Sequence, residues 1–229
     1  MESVANKKRT KKTSDSALVG HRVTEQIRDL ILSNELPPGS RISQESLAER
    51  FGTSRIPVRD ALNRLESDGL VVLKPSSGAW VAKLDFDECV EIYKIRERIE
   101  PLALSESAKK MTDEDINHLQ DLVEQMEVAQ DTETFLKLDR EFHLASYRAS
   151  NMDLLNEMVH RFWNTTQQYR RAFTEIIGNE GAWVIHAEHR LMIEALRRRD
   201  SEGASQMLHE HIRRTRIKLE EHSEVFNEK

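Results

Sequence analysis

A chain of 229 residues is long enough for two domains. Only 6% of its residues are aromatic, and it has 8 glycines and 5 prolines, so long helices are expected to dominate. The single cysteine, Cys89, excludes an internal disulfide and is consistent with the reducing cytoplasm. Neither a membrane span nor a signal peptide is expected, because no run of about eighteen apolar residues occurs.

Charge is distributed unevenly along the chain. Residues 1–80 carry 13 Lys and Arg against 10 Asp and Glu, whereas the remainder carries 21 against 30, for a net charge of −6. An acidic protein is a poor indiscriminate binder of DNA, so any such affinity must come from a local basic surface in the first part. Residues 1–17 are predicted to form a disordered basic tail that either adds phosphate contacts or only increases solubility.

Two short amphipathic helices with a tight turn between them are predicted within residues 37–71. The first starts at the capping residue Ser43 and stops at Gly52. Ser54 can cap the second helix, and Pro57 falls in its first turn, where a missing N–H costs little. The second helix is expected to bury one stripe and expose a flanking face, formed respectively by Val58, Ala61, Leu62 and Leu65 and by Arg55, Arg59 and Asn63. Such a face suits phosphates and base edges, although an ordinary helical hairpin with solvated arginines has the same pattern.

A β-hairpin is predicted directly after this helical pair. An apolar run at residues 70–73 is followed by turn residues and by a second apolar stretch at residues 79–82. The helix pair and the hairpin together predict a winged helix-turn-helix. At the tip of the wing, Ser76, Ser77 and Gly78 would allow the backbone to approach a phosphate or the minor groove closely.

From a boundary near residues 83–85 onward, the pattern indicates helices only. Capping and glycine residues divide this part into six segments, at residues 86–111, 113–129, 132–149, 152–177, 181–199 and 201–226. Pro101 predicts a kink or a local break in the first segment. The expected fold is therefore mostly α, with a winged helix-turn-helix over residues 18–83 and an all-α antiparallel six-helix bundle over residues 84–229.

Four metal-binding side chains lie on faces of the bundle helices that should be apolar. Asp139 and His143 are four residues apart in the third segment, so both point the same way. His189 belongs to the inward stripe of the fifth segment and His211 to that of the sixth. His209 is about 200° from His211 around the helix and cannot share its stripe.

A buried Asp139 needs a partner, and no Lys or Arg on these stripes is an obvious one. Three imidazoles and one carboxylate would bind a divalent metal, and this set suits Zn²⁺, Ni²⁺, Mn²⁺ or Fe²⁺ without choosing among them. Core histidines bonded to carbonyl groups, with a hydrated Asp139, are the alternative. A mononuclear metal-dependent hydrolase and a ligand-independent architectural DNA-binding protein also stay open as functions. A di-iron enzyme is excluded, since only one Glu-x-x-His motif occurs, at residues 157–160.

The run LPPGSRISQESLAERFGTSRIPVRDALNRLESDGLV, followed by a glycine in the wing, resembles the DNA-binding domain of GntR-type bacterial transcription regulators. The resemblance extends from about Val23 to Val81 and implies that the recognition helix and the wing contact double-stranded operator DNA. Those contacts are expected from Arg41, Ser54, Arg55, Pro57, Arg59, Ser76, Ser77 and Gly78. The family is often basic at the position of Arg41, whose role is either a phosphate contact or merely structural.

The bundle resembles the effector-binding and dimerisation domain of the FadR-like branch of these regulators, at residues 139–143, 188–196 and 211–212. Its six segments rather than seven suggest the shorter, VanR-like subgroup. The resemblance implies a cytoplasmic homodimer that binds an inverted-repeat operator and no membrane. Relief of repression by a ligand is the commoner pattern among such regulators.

The same resemblance implies how the bundle binds its effector. In members of the branch that contain a metal, the ligands match Asp139, His143, His189 and His211. The metal offers open coordination positions to a small carboxylate effector. Arg96 matches an arginine that can face the effector cavity, although it could equally pair with Glu100 on the surface.

Overall fold

The computed structural model describes residues 18–223, except for the side chains of residues 179–180. The chain divides between Lys83 and Leu84 into two compact units, each of which has its own core. The basic tail predicted over residues 1–17 lies outside the described residues. Within the described part, every helix is too polar or too short to cross a membrane.

The first unit consists of three helices and a small antiparallel sheet. Helices α1, α2 and α3 occupy residues 18–32, Gln44–Arg50 and Arg55–Ser67, and strands β1, β2 and β3 occupy Arg41–Ile42, Val71–Lys74 and Gly78–Val81. The strand order is β1-β3-β2, and Arg41 and Val72 both lie opposite Trp80. The hairpin of β2 and β3 is the predicted wing. The sequence does not predict β1, because two residues are too few to show an alternating pattern.

Capping and one glycine explain the turn between α2 and α3. The hydroxyl of Ser43 caps α2 by accepting the N–H of Ser46 at 3.2 Å. Gly52 follows α2 with a φ of +61°, a left-handed conformation that glycine adopts without steric cost. Ser54 occupies the N-cap position of α3, but its exposed hydroxyl makes no capping hydrogen bond, so that part of the prediction is wrong.

The apolar stripe of α3 lies in the core of the first unit, as the spacing predicts. Its four residues are at most 1% exposed, namely Val58, Ala61, Leu62 and Leu65. Burial of each of the larger side chains contributes roughly 1.5–3 kcal/mol. Because this stripe fixes the rotation of α3, the flanking face with Arg55 and Arg59 is held toward solvent.

The second unit contains six helical elements among its described residues, as many as predicted, although the boundaries of two of them differ. They are α4 (Phe86–Ala108), α5 (Asp113–Glu127), α6 (Thr132–Tyr147), α7 (Asp153–Thr165), α8 (Gln167–Arg197) and α9 (Ser201–Glu221), with a 3₁₀ turn at Arg148–Ser150. Helix α4 packs against α9, and α8 packs against both α5 and α9. The fold is thus mostly α, with a small β wing.

Helix boundaries differ from the prediction around α7 and α8. The sequence predicts one helix over residues 152–177, but the chain breaks at Thr166, whose hydroxyl donates to the carbonyl of Phe162 at 2.6 Å. The backbone of α8 is not helical at Gly178, where φ is +59° and ψ is −174°, so α8 consists of two helices that meet at a kink. The break predicted at this glycine is therefore confirmed. Helix α9 ends at Glu221, before the predicted end.

Pro101 does not break α4, which continues to Ala108. A proline removes the hydrogen bond to the carbonyl four residues earlier, which here belongs to Glu97. Nδ1 of His209 on α9 lies 2.8 Å from that carbonyl oxygen and can donate to it. A side chain from a neighbouring helix therefore replaces the bond that the proline removes.

Candidate functional site

Helix α3 presents a polar face made of Arg55, Arg59 and Asn63, all of which are exposed. Nη2 of Arg55 lies 2.5 Å from Oε1 of Glu45 on α2. The two side chains are 63% and 76% exposed, so this surface pair stabilises little and can be exchanged for contact with another anion. Two guanidinium groups and an amide are donors suited to phosphate oxygens and base edges.

The N-terminus of α3 lies at the same end of the helix as these arginines. Ser54 is exposed at the N-cap, and Pro57 is half-buried in the first turn. Unsatisfied N–H groups and the helix dipole favour an anion at this end. No acidic residue occupies the first turn of α3, so none of its own side chains there competes with a phosphate.

The tip of the wing combines unusual backbone conformations with a basic side chain. Ser76 and Gly78 have φ values of +58° and +98°, and Ser76, Ser77 and Gly78 are all exposed. A side chain at Gly78 would lie only 3.8 Å from Nε and Nη2 of Arg41. The short strand β1 therefore brings the Arg41 guanidinium to the wing, where sequence spacing alone does not place it.

Three helices of the second unit bring four predicted metal ligands together. Asp139 and His143 lie on α6, His189 on α8 and His211 on α9, and their ligand atoms are all within 4.8 Å of one another. Nε2 of His189 is 3.2 Å from Nε2 of His143, and Oδ1 of Asp139 is 3.5 and 3.6 Å from these two nitrogens. Ligand atoms about 2.1 Å from a shared tetrahedral metal lie about 3.4 Å apart, so these separations fit one ion.

The outer nitrogens of two of these histidines have hydrogen-bond partners. The Tyr147 hydroxyl donates to Oε2 of Glu100 at 2.8 Å, so its oxygen can accept from Nδ1 of His143 at 3.3 Å. Nδ1 of His211 is 2.7 Å from Oε2 of Glu188, which also accepts from Arg214. Carboxylates only accept, so Nδ1 of His211 carries the proton and its Nε2 remains available for a metal.

Burial favours the protonation states that a metal requires of the histidines. It lowers the pKa of His143 and His189 well below the usual value for histidine, and it also lowers the pKa of His211. The three imidazoles are therefore neutral at pH 7. Burial raises the pKa of Asp139, so its ionised form needs a nearby positive charge. Neutral nitrogens around a buried carboxylate form a donor set that fits a divalent cation.

A cavity beside this cluster is lined by two buried arginines, although the sequence suggests no cationic partner for Asp139. Arg96 is only 3% exposed and its Nε lies 2.5 Å from Oε1 of Glu100, so the pair is buried and not on the surface. Arg170 on α8 is 6% exposed and lines the same cavity. Sequence reasoning misses Arg170, although it lies seven residues after Trp163 on the inward side of the chain.

His209 lies outside the four-residue cluster, as its helical phase predicts. It contacts the carbonyl of Glu97 and lies 3.5 Å from Arg98. Its side chain is 27% exposed, whereas that of His211 is 10% exposed. The phase assignment therefore selects the histidine of α9 that lies beside the other three ligands.

Comparison with known proteins assigns both units to families. Residues 20–81 match the gntR family of bacterial regulatory proteins, and residues 91–214 match the FCD domain. The chain is 32% identical to the HTH-type transcriptional regulator McbR of Escherichia coli K12 over 193 residues, which cover 82% of this chain and 87% of that protein. It is 30% identical to the HTH-type transcriptional regulator YdhC of Bacillus subtilis 168, over 82% of this chain and 84% of the relative.

Solved structures agree with this assignment. The structure of E. coli McbR matches with a TM-score of 0.80 at 28% identity, over 90% of this chain and 98% of that one. A GntR regulator from Rhodococcus sp. RHA1 shares the fold, with a TM-score of 0.74 at 21% identity over 89% and 98% of the two chains. These proteins are transcriptional regulators and not enzymes, so the hydrolase alternative is rejected. The chain belongs to the GntR family of bacterial regulatory proteins and carries an FCD domain as its C-terminal unit.

Proposed function

We propose that this regulator is a cytoplasmic, ligand-responsive repressor that binds operator DNA as a homodimer and senses a small carboxylate at a metal site. The convergence of four ligand atoms within 4.8 Å carries the proposal, because it supplies a sensing site in a chain whose other unit exposes a basic helix face. An architectural DNA-binding protein without a ligand would not need buried metal ligands beside a cavity.

Exposed basic groups of the first unit support the DNA-binding part of the proposal. Helix α3 would enter the major groove with Arg55 and Arg59 toward the bases, while Arg41 and the wing tip contact the backbone or the minor groove. Ser54 and Pro57 would lie near a phosphate at the helix N-terminus. A symmetric dimer presents two such helices, so the operator should be an inverted repeat with half-sites about one helical turn apart or less.

Asp139, His143, His189 and His211 would hold the divalent metal, whose identity among Zn²⁺, Ni²⁺, Mn²⁺ and Fe²⁺ the donor set does not decide. The bound ion would supply coordination positions to a carboxylate, since several of these metals accept more than four ligands. Arg96 supports the effector assignment because its guanidinium lines the cavity while Glu100 holds it in place.

Coupling between the two functions requires only that the effector prefers one helix arrangement of the second unit. A preference of about 1–3 kcal/mol changes operator affinity roughly 5- to 150-fold. All three helices that carry the ligands belong to that unit, so an effector at the cluster contacts α6, α8 and α9 together. We propose that binding reduces DNA affinity and relieves repression.

Metal analysis of the purified full chain, followed by selection of operators from random double-stranded DNA, tests this function. We expect bound divalent metal, an inverted repeat among the selected sequences, and weaker binding to that repeat when a small carboxylic acid stabilises the protein in a thermal-shift screen. Protein that contains no metal and responds to no acid, yet binds DNA, would favour the ligand-independent alternative. Selected sequences without an inverted repeat would contradict the dimer model.

A further inference from the structure

Two buried polar groups in the wall of the cavity have no hydrogen-bond partner within the part of the chain that the structure describes. They are Nε of Arg170 and the hydroxyl of Tyr93, which are on side chains 6% and 1% exposed. Leaving a buried donor unsatisfied costs roughly 1–3 kcal/mol, and more when the group is charged. Both side chains line the cavity that Asp139 and His211 also line, so a ligand there could satisfy these two groups.

Arg170 also forms no ion pair within residues 18–223, although the charge of Asp139, which lines the same cavity, acts on it. Its remaining donors contact neutral acceptors: Nη1 is 2.9 Å from the hydroxyl of Thr166, Nη2 is 2.7 Å from the carbonyl of Trp163, and Gln167 accepts a further bond. Arg96 differs, because its guanidinium is paired with the carboxylate of Glu100. Burial, followed by the positive charge of Arg96, lowers the pKa of Arg170 to about 9, which leaves it charged at pH 7.

Charge defines the class of ligand that would bind in this cavity. A divalent metal leaves one positive charge after pairing with Asp139, and Arg170 adds a second, so the cavity favours a dianion over a monoanion. A ligand with an anionic group at each end meets this condition, and a short chain suffices because Asp139 and Arg170 line the same cavity.

We propose that the effector is a short-chain dicarboxylate, with one carboxylate at the metal and the other accepting from Nε of Arg170 and the hydroxyl of Tyr93. This inference rests on the proposed carboxylate sensing at the four-residue cluster. Arg170 and Tyr93 are then the residues that discriminate a dicarboxylate from a monocarboxylate. A monocarboxylate at the metal leaves both groups unsatisfied, and it is bound less tightly for that reason.

Titration calorimetry on the metal-loaded full chain tests the inference with matched pairs of acids of equal chain length, succinate against butyrate and malonate against propionate. Metal content measured after each titration separates binding from removal of the metal. We expect at least one dicarboxylate to bind about tenfold or more tightly than its partner, since a charge-assisted bond is lost in the monocarboxylate. Equal affinities within both pairs overturn the inference alone, whereas failure of all four acids to bind overturns the proposed sensing function as well.

Substitutions of Tyr93 and Arg170 test whether these two side chains cause the preference for a dicarboxylate. Tyr93→Phe removes a hydroxyl that has no partner in the described structure, so it should leave the thermal midpoint unchanged or raise it while weakening dicarboxylate binding several-fold. Arg170→Gln should abolish the preference for the dicarboxylate, and Arg170→Lys should retain part of it. Tyr169→Phe is the matched control, because its hydroxyl donates to the Leu84 carbonyl and does not line the cavity. Unchanged dicarboxylate affinity in both Tyr93→Phe and Arg170→Gln overturns the assignment.

Discussion

At the scale of single residues, Glu100 connects the candidate effector arginine to the candidate metal site. It is fully buried and accepts hydrogen bonds from Arg96, from Tyr147 and from the indole of Trp163. Tyr147 in turn contacts His143, one of the four cluster residues. Because a buried carboxylate is tolerated only when its lone pairs are satisfied, each of these bonds helps to fix the others. A movement of Arg96 on effector binding would therefore reach a metal ligand through two side chains.

Helical phase predicts the four cluster residues, but not their outer contacts. Asp139 and His143 share a face at four-residue spacing, which the sequence shows directly. Glu100 and Arg170 are charged, and charged side chains are usually exposed to solvent, so the sequence alone does not predict that either one is buried. Only the packing of α4 and α8 around the cavity shows that these two are buried.

Replacing His211 and replacing His209 should have different consequences. His211→Ala removes a cluster residue, so we expect loss of most bound metal. His209→Ala should keep the metal but lower the free energy of unfolding by about 1–3 kcal/mol, because the Glu97 carbonyl released by Pro101 loses its donor. Metal analysis and urea denaturation measure the two effects. Comparable metal loss in both variants would show that the phase of α9 is misassigned.

Replacing the arginines of α3 should weaken operator binding without affecting the metal. Arg55→Ala or Arg59→Ala removes an exposed guanidinium, and loss of a base contact costs about 1–3 kcal/mol, or roughly 5- to 150-fold in affinity. Fluorescence anisotropy with the selected operator measures the change. Arg213→Ala on α9, also an exposed arginine, is the control and should bind as the wild type does. If neither α3 variant binds more weakly, the recognition-helix assignment is wrong.

At the scale of elements, the boundaries that the sequence predicts well are those set by local capping. Asp85, Thr112 and Asp131 each accept a backbone N–H at the start of a helix, and the predicted starts of α4, α5 and α6 agree with the structure. The break at Thr166 involves a tertiary contact instead, since its hydroxyl accepts from Nη1 of Arg96 on α4 at 3.4 Å. Strand β1 likewise exists only because β3 lies beside it.

The kink of α8 provides a test at this scale. Gly178 combines a φ of +59° with a ψ of −174°, a region essentially restricted to glycine, and a side chain there would meet no other atom within 4 Å. Gly178→Ala should therefore lower the free energy of unfolding by about 1–3 kcal/mol through backbone strain alone. Urea denaturation measures this change in the free energy of unfolding. Gly20→Ala is the matched control, because Gly20 is helical, equally uncrowded and should tolerate alanine or be stabilised by it.

At the scale of the whole molecule, the charge distribution along the sequence already indicates that the two units have different roles. The first unit carries the excess of basic residues, and the second carries the acidic excess together with the buried ligands. Sequence reasoning places the boundary near residues 83–85, and the two compact units meet between Lys83 and Leu84. It does not identify the ligand, because the cavity is formed by residues from five separate helices.

The stability of the metal-free protein should itself depend on pH. Burial lowers the pKa of His143, His189 and His211, so the folded chain takes up protons at these sites only at lower pH than the unfolded chain. Their contribution to the free energy of unfolding is therefore fully present above the ordinary pKa of about 6.5 and is lost as the pH falls below it. Asp139 acts with the opposite sign, because its pKa is raised and its protonation relieves a buried charge. The three histidines outweigh the single aspartate, so the free energy of unfolding of the metal-free protein should fall on acidification.

Bound metal adds to this dependence, because only unprotonated imidazoles can coordinate it. At a metal concentration of about 100 times Kd, the folded state gains about 2.7 kcal/mol. We expect the gap in thermal midpoint between metal-loaded and chelator-treated protein to be largest near neutral pH and to close toward about pH 5 as protons displace the metal. His211→Ala should show little or no gap at any pH. A gap in the wild type that stays constant down to that pH would mean that the metal does not bind through these histidines.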